Sequence, residues 1–449
     1  MKTITEPARR IPIAHECDIC VVGGSCTGVF AAVRAARLGA KVAIIEKHNC
    51  FGGVATCGLV NIWHSLHDTT GEKQIIAGLT LEVVERLQRR NGVIITDDRV
   101  NHHRLNTEEL KIELDELITE HRIHPFLHTF YAAPHLEGDR LAAIIVENKS
   151  GRRAIAARMF IDATGDADLC LDLGLESYRP ETLQPPTTCA KLFGVNSLQN
   201  FNWRQAVVEH GSEFGLREDW GWSSAIPGLP GLEMHADTHV FETDTADGVL
   251  LTASEIEGRR QVRAIMDVIR KYGPKEQQIA LADLASGIGA RETRRITGRY
   301  RLTGDDVLYG ERFEDAIANG SYRVDIHHAD SPGITFRYLD GTEVVVPSRI
   351  EPKKVGRWRD PLPEDPTFYQ IPFRSLLPAS GCPNLIMAGR MLDADKVAFS
   401  AARVMVNMNQ TGEAAGVAAY LSLEADCPTA EVDVTKLREK LSEGGSIIL

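Results

Sequence analysis

Apolar and polar positions follow a regular order at the start of the chain. Residues 17–22 form a short apolar run, residues 28–39 carry an alanine-rich face at helical spacing, and residues 41–46 form a second apolar run that ends in an acid. Strand, glycine turn, helix and strand in this order are typical of a βαβ unit. Gly39 stands where such a helix would end. The pattern therefore predicts a parallel sheet.

The same two periodicities predict the remaining elements. The predicted helices are 77–90, 107–121 with Thr107 as N-cap, 253–272 and about 401–421; the predicted strands are 141–147, 153–161 and 384–390. Between about 190 and 370 the chain is richer in tryptophan, proline and mixed polar sequence. This change of character predicts a separate domain inserted before the last strand and helix.

The first turn has the sequence GGSCTG at residues 23–28. A G-x-G-x-x-G dinucleotide fingerprint requires glycine at 23, 25 and 28, and Ser25 occupies the second of these positions. Glu46 ends the second strand, where an acid hydrogen-bonds a ribose hydroxyl, and the helix N-terminus offers N–H groups to a pyrophosphate. The context predicts a dinucleotide site in which the Ser25 hydroxyl either bonds a phosphate oxygen or turns away.

Composition limits the class of protein. The chain has 449 residues and a formal net charge of −12, which argues against a general nucleic-acid binder. Its apolar stretches are shorter than the roughly 18 residues of a membrane helix. Arg9 and Arg10 precede no apolar segment, so the N-terminus resembles a short tail and not an export signal. Nine cysteines, an odd number, predict reduced thiols in a cytoplasmic protein.

Five motifs along the chain carry a family resemblance: GGSCTG, IIEK, FGGVATCG, IDATGDAD and NLIMAGR. In this order they resemble flavoproteins of the glutathione-reductase-like superfamily. The closest resemblance is to bacterial FAD-dependent oxidoreductases whose flavin domain is similar to that of fumarate-reductase-type enzymes. The segments 289–307, 322–330 and 369–378 also resemble the middle part of that group.

The resemblance implies an α/β fold, in which a Rossmann-like FAD-binding domain with three-layer ββα character carries an inserted mixed α+β substrate domain. The FAD domain is expected to comprise residues 1–190 and 371–425, the inserted domain residues 191–370, and a tail or helix residues 426–449. FAD is a long cofactor, so distant segments must contact it. The residues expected to do so are Gly23, Gly24, Ser25, Cys26, Thr27, Gly28, Glu46, Lys47, Gly52, Gly53, Ala55, Thr56, Phe130, Ala163, Thr164, Gly165, Gly389, Arg390, Val404 and Met405.

Two middle segments offer groups for chemistry. In VDIHHAD, Asp325 and His327 share one face of a strand, so His327 is either a base oriented by Asp325 or part of a structural hydrogen bond at a domain seam. In ARETRRI, Arg291 stands at helical spacing from Arg294 and Arg295, either as an anion anchor or on a solvated face. The resemblance favours His327 and Arg291. Arg374, Arg390 and Arg403 are further candidates for contact with phosphate or substrate.

Cysteine and histidine patterns raise three alternatives. Cys17 and Cys20 have CxxC spacing, which fits a redox or metal pair, but they enter a strand and are interpreted as core residues. Disulfide reductases of the superfamily carry two cysteines after the paired glycines. Here Cys57 alone follows them and Cys50 precedes them, so a redox-active Cys50/Cys57 pair stays open as the less favoured interpretation. His64 is a candidate for a covalent flavin link or, with His67 and Asp68, for zinc; no metal is predicted.

Together these features predict an enzyme that transfers hydride between a small hydroxylated compound, such as a sugar or hydroxy acid, and flavin N5. The alternatives are reduction of an activated C=C bond and a flavin subunit that passes electrons to a partner. A small-molecule substrate, an unidentified electron acceptor and a homo-oligomer are expected, and neither nucleic acid nor membrane is expected as a partner.

Overall fold

The computed structural model describes residues 2–98, 102–217 and 219–449. Its α-helices are numbered in chain order. They are α1 (Cys26–Arg37), α2 (Gly78–Arg89), α3 (Thr107–Glu120), α4 (Asp168–Asp172), α5 (Trp203–His210), α6 (Gly248–Tyr272), α7 (Gly304–Leu308), α8 (Lys396–Ala402), α9 (Met405–Ala425) and α10 (Val434–Glu443). Among these described helices, none combines the length and apolar character needed to cross a membrane.

The strands are likewise numbered in chain order. They are β1 (Ile13–Val22), β2 (Val42–Ile45), β3 (Ile62–Trp63), β4 (Val93–Ile95), β5 (His103–Leu105), β6 (His124–Phe126), β7 (Phe130–Glu137), β8 (Arg140–Asn148), β9 (Gly151–Asp162), β10 (Ser177–Tyr178), β11 (Ala190–Phe193), β12 (Trp222–Ala225), β13 (Leu232–Ala236), β14 (Ala280–Leu284), β15 (Arg295–Ile296), β16 (Ala316–Gly320), β17 (Val324–His327), β18 (Ile334–Arg337), β19 (Thr342–Val346), β20 (Lys354–Arg357), β21 (Tyr369–Pro372) and β22 (Leu385–Met387).

The main sheet has strand order β6-β2-β1-β9-β8-β7, and β22 pairs with the end of β9. β1 is parallel to β2 and β9, and β22 is parallel to β9, whereas β7, β8 and β9 form an antiparallel meander. In the parallel part, the carboxyl ends of β1, β2, β9 and β22 meet at one edge. The loops that follow these strands therefore come together, although the last is more than 350 residues from the first in sequence.

Alternate residues of β1 face two different cores. Ile19 and Val21 belong to the core shared with α1 and α9, whereas Cys20 and Val22 face the core that β8 contributes to through residues such as Ile144. Helices, parallel sheet and meander thus form three layers. The predicted α/β fold with a Rossmann-like sheet is confirmed.

Helix α9 packs directly on α1, because its glycines leave room for the other helix. A Cβ atom at Gly412 would lie 2.1 Å from the Thr27 carbonyl oxygen, and one at Gly416 would lie 2.2 Å from that of Ala31. This close packing holds the N-terminus of α9 near the N-terminus of α1. The two helix ends therefore serve the same region of the molecule.

The region 191–370 contains the long helix α6 and smaller sheets. One has the order β12-β13-β11-β14 and a second the order β17-β18-β19-β20, while β16 pairs with β21. The expected domains include residues 1, 99–101 and 218, which lie outside the described residues. The domain boundaries stay a prediction; the structure adds that the C-terminal segment contains α10.

Several predicted elements shift at their ends. The N-cap of α3 is Asn106, whose side chain accepts from the Glu108 and Glu109 amides, so the prediction of Thr107 was wrong by one residue. The predicted helix 401–421 divides into α8 and α9. Gly39 has φ +105° and directly follows the C-cap Leu38, so the helix ends where the position of this glycine predicted.

Candidate active site

A cavity of about 620 Å³ opens at the carboxyl edge of the main sheet. Its walls come from the turns after β1, β2, β9 and β22, from the segment 52–64, and from the inserted region at 287–291 and 322–327. Pockets of this volume hold drug-sized ligands or cofactors. The cavity therefore has the position and size that the predicted dinucleotide requires.

The glycine turn between β1 and α1 approaches neighbouring backbone closely. Gly23 has φ +109°, and a Cβ there would lie 2.4 Å from the Ala163 carbonyl oxygen. A Cβ at Gly28 would lie 1.9 Å from the Gly23 carbonyl oxygen. Neither position has room for a side chain, which explains why the first and third positions of the fingerprint are glycine.

Ser25, in the place of the second glycine, is the N-cap of α1. Its side-chain oxygen accepts from the Gly28 amide at 3.5 Å, and the residue lines the cavity. The hydroxyl proton remains available for donation into the cavity, where the N-terminus of α1 favours an anion. Serine is thus compatible with a phosphate at this turn.

Glu46 holds the turn through its two carboxylate oxygens. One accepts from the Gly24 amide at 2.8 Å and the other from the His48 amide at 2.9 Å. Each oxygen keeps a lone pair, and the residue lines the cavity. A ribose hydroxyl contact, as predicted for Glu46, fits this arrangement.

The opposite wall depends on Asp162, a fully buried residue at the end of β9. Its carboxylate accepts from the Thr164 amide and hydroxyl and from the Cys170 amide. This fixes the turn Ala163–Gly165 against the cavity. Arg390, after β22, reaches across and donates to Asp166.

The N-terminus of α9 reaches the cavity without a capping side chain. Val404 is the N-cap residue and makes no side-chain hydrogen bond, and both Val404 and Met405 line the cavity. Uncapped N–H groups and the positive end of the helix dipole favour a partially negative ligand edge. This matches the pyrimidine edge of a flavin, which becomes anionic upon reduction.

Most of the predicted cofactor residues line this cavity, and four lie behind its surface. Those in the wall are Gly23, Ser25, Cys26, Thr27, Glu46, Lys47, Gly52, Gly53, Phe130, Ala163, Thr164, Gly165, Gly389, Arg390, Val404 and Met405; those behind it are Gly24, Gly28, Ala55 and Thr56. The glycine and capping geometry fits FAD. Its contacts with the individual residues stay predictions.

Asp325 and His327 lie together at the other end of the cavity, on one face of β17 as predicted. His327 Nε2 lies 3.3 Å from Asp325 Oδ1, and the Tyr322 hydroxyl donates to Asp325 Oδ2 at 2.6 Å. The 3.3 Å separation is an ion-pair distance, and Asp325 Oδ1 accepts no hydrogen bond from the described residues. In the neutral tautomer with the proton on Nε2, this nitrogen faces the carboxylate and the Nδ1 lone pair is free. His327 is therefore arranged as a proton acceptor.

Burial sets the protonation state of His327. Desolvation, reinforced by the charges of Arg291 and Arg403, holds the pKa of His327 well below its usual range. The imidazole is therefore neutral at neutral pH. Burial also lowers the pKa of Arg291 to about 10, so this guanidinium remains charged beside it.

Three arginines surround this end of the cavity: Arg291, Arg323 and Arg403. Arg291 donates to the Pro185 carbonyl and to the Thr187 hydroxyl, and Arg323 stacks on Phe336 with 3.8 Å from its guanidinium carbon to the ring centroid. Neither interaction uses all five N–H groups of a guanidinium. The cluster can therefore bind a carboxylate.

The predicted helical spacing of Arg291, Arg294 and Arg295 was wrong. Residues 289–294 are extended loop and Arg295 begins β15. Arg294 pairs with Asp168, and Arg295 pairs with Glu292 and stacks on Phe399, so only Arg291 lines the cavity. Arg291 therefore faces the cavity, whereas Arg294 and Arg295 make structural ion pairs outside it.

A second imidazole, that of His239, lies beside His327 and was not predicted from the sequence. The centroid of the His239 ring lies 5.1 Å from that of His327, and His239 Nδ1 bonds closely to Asp219. A smaller cavity of about 200 Å³ lies on the far side and is lined by His239 and Asp219. No local motif marks these residues, because 88 positions separate the two histidines.

Gln184 was also missed, since it lies in a proline-rich loop without a motif. It is buried, and its side-chain oxygen accepts from the His327 amide and from Arg403, both at 3.3 Å. It therefore ties the β17 strand to the start of the C-terminal helices.

His64 and Asp68, which were considered together as zinc ligands, lie in separate environments. His64 lines the cavity and stacks on Tyr322 with 4.0 Å between centroids, whereas Asp68 accepts from Thr70, Gly71 and Lys73 in a local turn. Within the described part of the chain, no group of three or more histidine, cysteine or acidic residues has a geometry suited to a metal ion.

Comparisons with known proteins agree with the cofactor assignment. Residues 18–441 match the family model described as FAD dependent oxidoreductase. A dihydrolipoyl dehydrogenase from Trypanosoma brucei brucei is 32% identical over 94 residues, which cover 18% of this chain and only 20% of that protein.

Two solved structures illustrate the structural neighbours. A geranylgeranyl bacteriochlorophyll reductase-like protein from Thermoplasma acidophilum is 11% identical, with 96% of this chain and 84% of that chain covered and a TM-score of 0.46. The myxobacterial halogenase CndH is 12% identical, with 96% and 80% covered and a TM-score of 0.43. The match to the family model spans nearly the whole chain, and the protein therefore belongs to the FAD-dependent oxidoreductase family and uses FAD as its cofactor.

Proposed function

We propose that this enzyme oxidises a small 2-hydroxy acid to the corresponding oxo acid, with FAD as the hydride acceptor. The observation that carries the proposal is a neutral, Asp-oriented His327 beside the charged Arg291 at one end of the FAD cavity. When bound, FAD supplies the two-electron acceptor. We also propose that the protein belongs to the glutathione-reductase-like superfamily of flavoproteins, which the five sequence motifs support.

In this mechanism the arginines bind the carboxylate of the substrate. Arg291, Arg323 and Arg403 reach the same end of the cavity, so a carboxylate there gains charge-assisted hydrogen bonds. A neutral sugar gains much less from three guanidinium groups. This is the reason for preferring a hydroxy acid among hydroxylated compounds.

His327 takes the hydroxyl proton as the C–H bond breaks. Its Nε2–H faces Asp325, which stabilises the imidazolium that forms, while Nδ1 accepts the proton. Tyr322 holds the other oxygen of Asp325 and so fixes the carboxylate. The pair then returns the proton to solvent.

Reduction of an activated C=C bond next to a carboxylate is the competing proposal, since the arginines suit that substrate equally well. It requires a proton donor in the resting enzyme. His327, whose pKa lies well below its usual range, carries no proton at neutral pH, so the resting enzyme lacks this donor and the protonation state favours oxidation.

The test is anaerobic bleaching of the flavin absorbance. We expect bleaching by a panel of 2-hydroxy acids but not by their methyl esters or by neutral sugars. His327→Ala should slow the bleaching by about 10²–10⁴-fold. His328→Ala is the matched control, because His328 bonds Thr335 and the Pro332 carbonyl instead of Asp325.

Equal rates in the two histidine variants would contradict the role of His327. Bleaching by an ester as fast as by its acid would contradict the arginine anchor. A flavin that bleaches only with a partner protein present would favour the electron-transfer subunit, and oxidation of prereduced enzyme by an unsaturated acid would favour C=C reduction.

A further inference from the structure

Two cysteines meet inside the wall of the FAD cavity. The sulfur atoms of Cys50 and Cys57 are 3.6 Å apart, and both thiols are free. Both residues are buried, with 7% and 4% of their surface exposed. Cys57 lines the cavity, and Cys50 lies behind it. The mechanism proposed above uses neither thiol.

The glycine segment between the cysteines fixes their approach. The Gly52 amide donates to the Gly24 carbonyl at 2.8 Å, and the Thr56 amide donates to the Gly53 carbonyl at 3.1 Å. The chain therefore turns back on itself between Cys50 and Cys57, against the first glycine turn of the FAD site. A disulfide requires about 2.05 Å between sulfurs, so the two sulfur atoms must approach by about 1.5 Å to form one.

The surroundings make one of the two thiols acidic. The hydrogen bond between the two sulfurs, in which either thiol can donate, lowers the pKa of Cys50 to about 7 despite its burial and raises the pKa of Cys57. The Lys111 ammonium acts on Cys50 in the same direction. The pair thus shares a proton near neutral pH, and a thiolate is the reactive form in disulfide chemistry.

We propose that Cys50 and Cys57 form a dithiol–disulfide couple that exchanges two electrons with the FAD bound in the same cavity. In one direction the S–S bond breaks, the two sulfurs take two electrons from the reduced flavin, and each gains a proton. One of these protons comes from the reduced flavin and the other from solvent. In the other direction the S–S bond forms and the flavin receives the electrons. The proposal is independent of the substrate.

Cys189 provides a matched control. It also lines the FAD cavity, its thiol is free, and burial raises its pKa to about 12. A cysteine in the same cavity that stays protonated is not expected to form the disulfide. Cys189→Ser should therefore leave the couple intact.

The first experiment needs neither a substrate nor a variant. The holoenzyme is incubated with oxidised glutathione, desalted and denatured, and its free thiols are counted. We expect the nine thiols of the chain to fall by two. Tryptic digestion should give the peptide 48–73, which contains Cys50, Cys57 and no other cysteine, lighter by two hydrogen atoms.

The second experiment tests exchange with the flavin. Anaerobic titration of the oxidised holoenzyme with dithionite should consume about four electrons per FAD, against about two for a flavin alone. Cys50→Ser and Cys57→Ser should return the value to about two, and Cys189→Ser should keep about four.

An unchanged thiol count would overturn the proposal, as would a disulfide between any other pair of cysteines. A disulfide in peptide 48–73 together with uptake of only two electrons by the wild type would also overturn it, because the pair would then not exchange electrons with FAD. Both wild-type measurements remain decisive even where a serine variant loses FAD.

Discussion

Replacement of Glu413 by glutamine should change how the stability of the protein depends on pH. Glu413 lies in α9 with 1% of its surface exposed. Its carboxylate lies 3.3 Å from Arg34 Nε and accepts from the Leu79 amide and the Ser446 hydroxyl, both at 3.2 Å. Burial raises the pKa of Glu413 to about 7, and Arg34 opposes this only in part.

The sign follows from the protons bound in each state. The folded protein keeps the Glu413 proton up to about pH 7, while an unfolded glutamate loses it near 4.3. The stabilisation from protonated Glu413 is thus complete below the unfolded pKa and is lost as the pH rises through the folded pKa. Between about pH 5 and about pH 8 the loss is roughly 2.5 kcal/mol.

Glutamine cannot titrate. Its single amide oxygen keeps an acceptor for the Leu79 amide, and its NH2 group can donate to the Ser446 hydroxyl oxygen, which lies beside the other position. The difference in free energy of unfolding between wild type and Glu413→Gln should therefore shift by roughly 2.5 kcal/mol over that interval, with the wild type losing more on the alkaline side. Contributions of all other groups cancel in this difference. The assay is urea unfolding of both proteins, saturated with FAD, across the pH range. Parallel pH profiles for the two proteins would refute the reasoning.

Three further outcomes are expected. Gly28→Ala should yield protein without flavin absorbance, at a stability cost of about 1–3 kcal/mol, because the new Cβ would lie 1.9 Å from the Gly23 carbonyl; Gly248→Ala, with open space around it, should stay yellow. The pH profile of flavin reduction should lack the inflection of an ordinary histidine near about 6.5, since the pKa of His327 is lowered, and an inflection there would contradict the assignment. Gln184→Ala should slow flavin reduction and retain FAD, because the His327 amide loses its partner; an unchanged rate would remove Gln184 from the site.

The cofactor half of the site, formed by residues 23–28, 46–53 and 163–165, could be predicted because its sequence motifs are local. A β-strand, a glycine turn and an acid at fixed spacing recur in one stretch of sequence, and their geometry follows from backbone sterics at Gly23 and Gly28. Errors were confined to element ends, as at Asn106, where a neighbouring side chain supplies the cap.

The catalytic half of the site, which contains Arg291, Asp325 and His327, was less predictable because residues far apart in sequence form it. Arg291 and Arg294 appeared to share a helix face, but that inference requires an apolar stripe at the same period, which ARETRRI lacks. The segment forms a loop, in which a tertiary contact with Asp168 orients Arg294 and a local pair with Glu292 orients Arg295. Likewise, the Asp219–His239 pair reaches His327 only through folding of the inserted region.

The two halves of the site have different requirements. The segments at residues 23–28, 46–53 and 163–165 lie at the carboxyl edge of one sheet and make the phosphate end of the cavity without the inserted region. His327 and Arg291 come from the inserted region, yet Gln184 and Arg403 connect them to the segments around it. Binding of FAD and positioning of the base therefore depend on separate sets of contacts. Damage to β17 or to the Gln184 link should slow the chemistry while the protein remains yellow, whereas damage to the glycine turn should remove both the chemistry and the flavin.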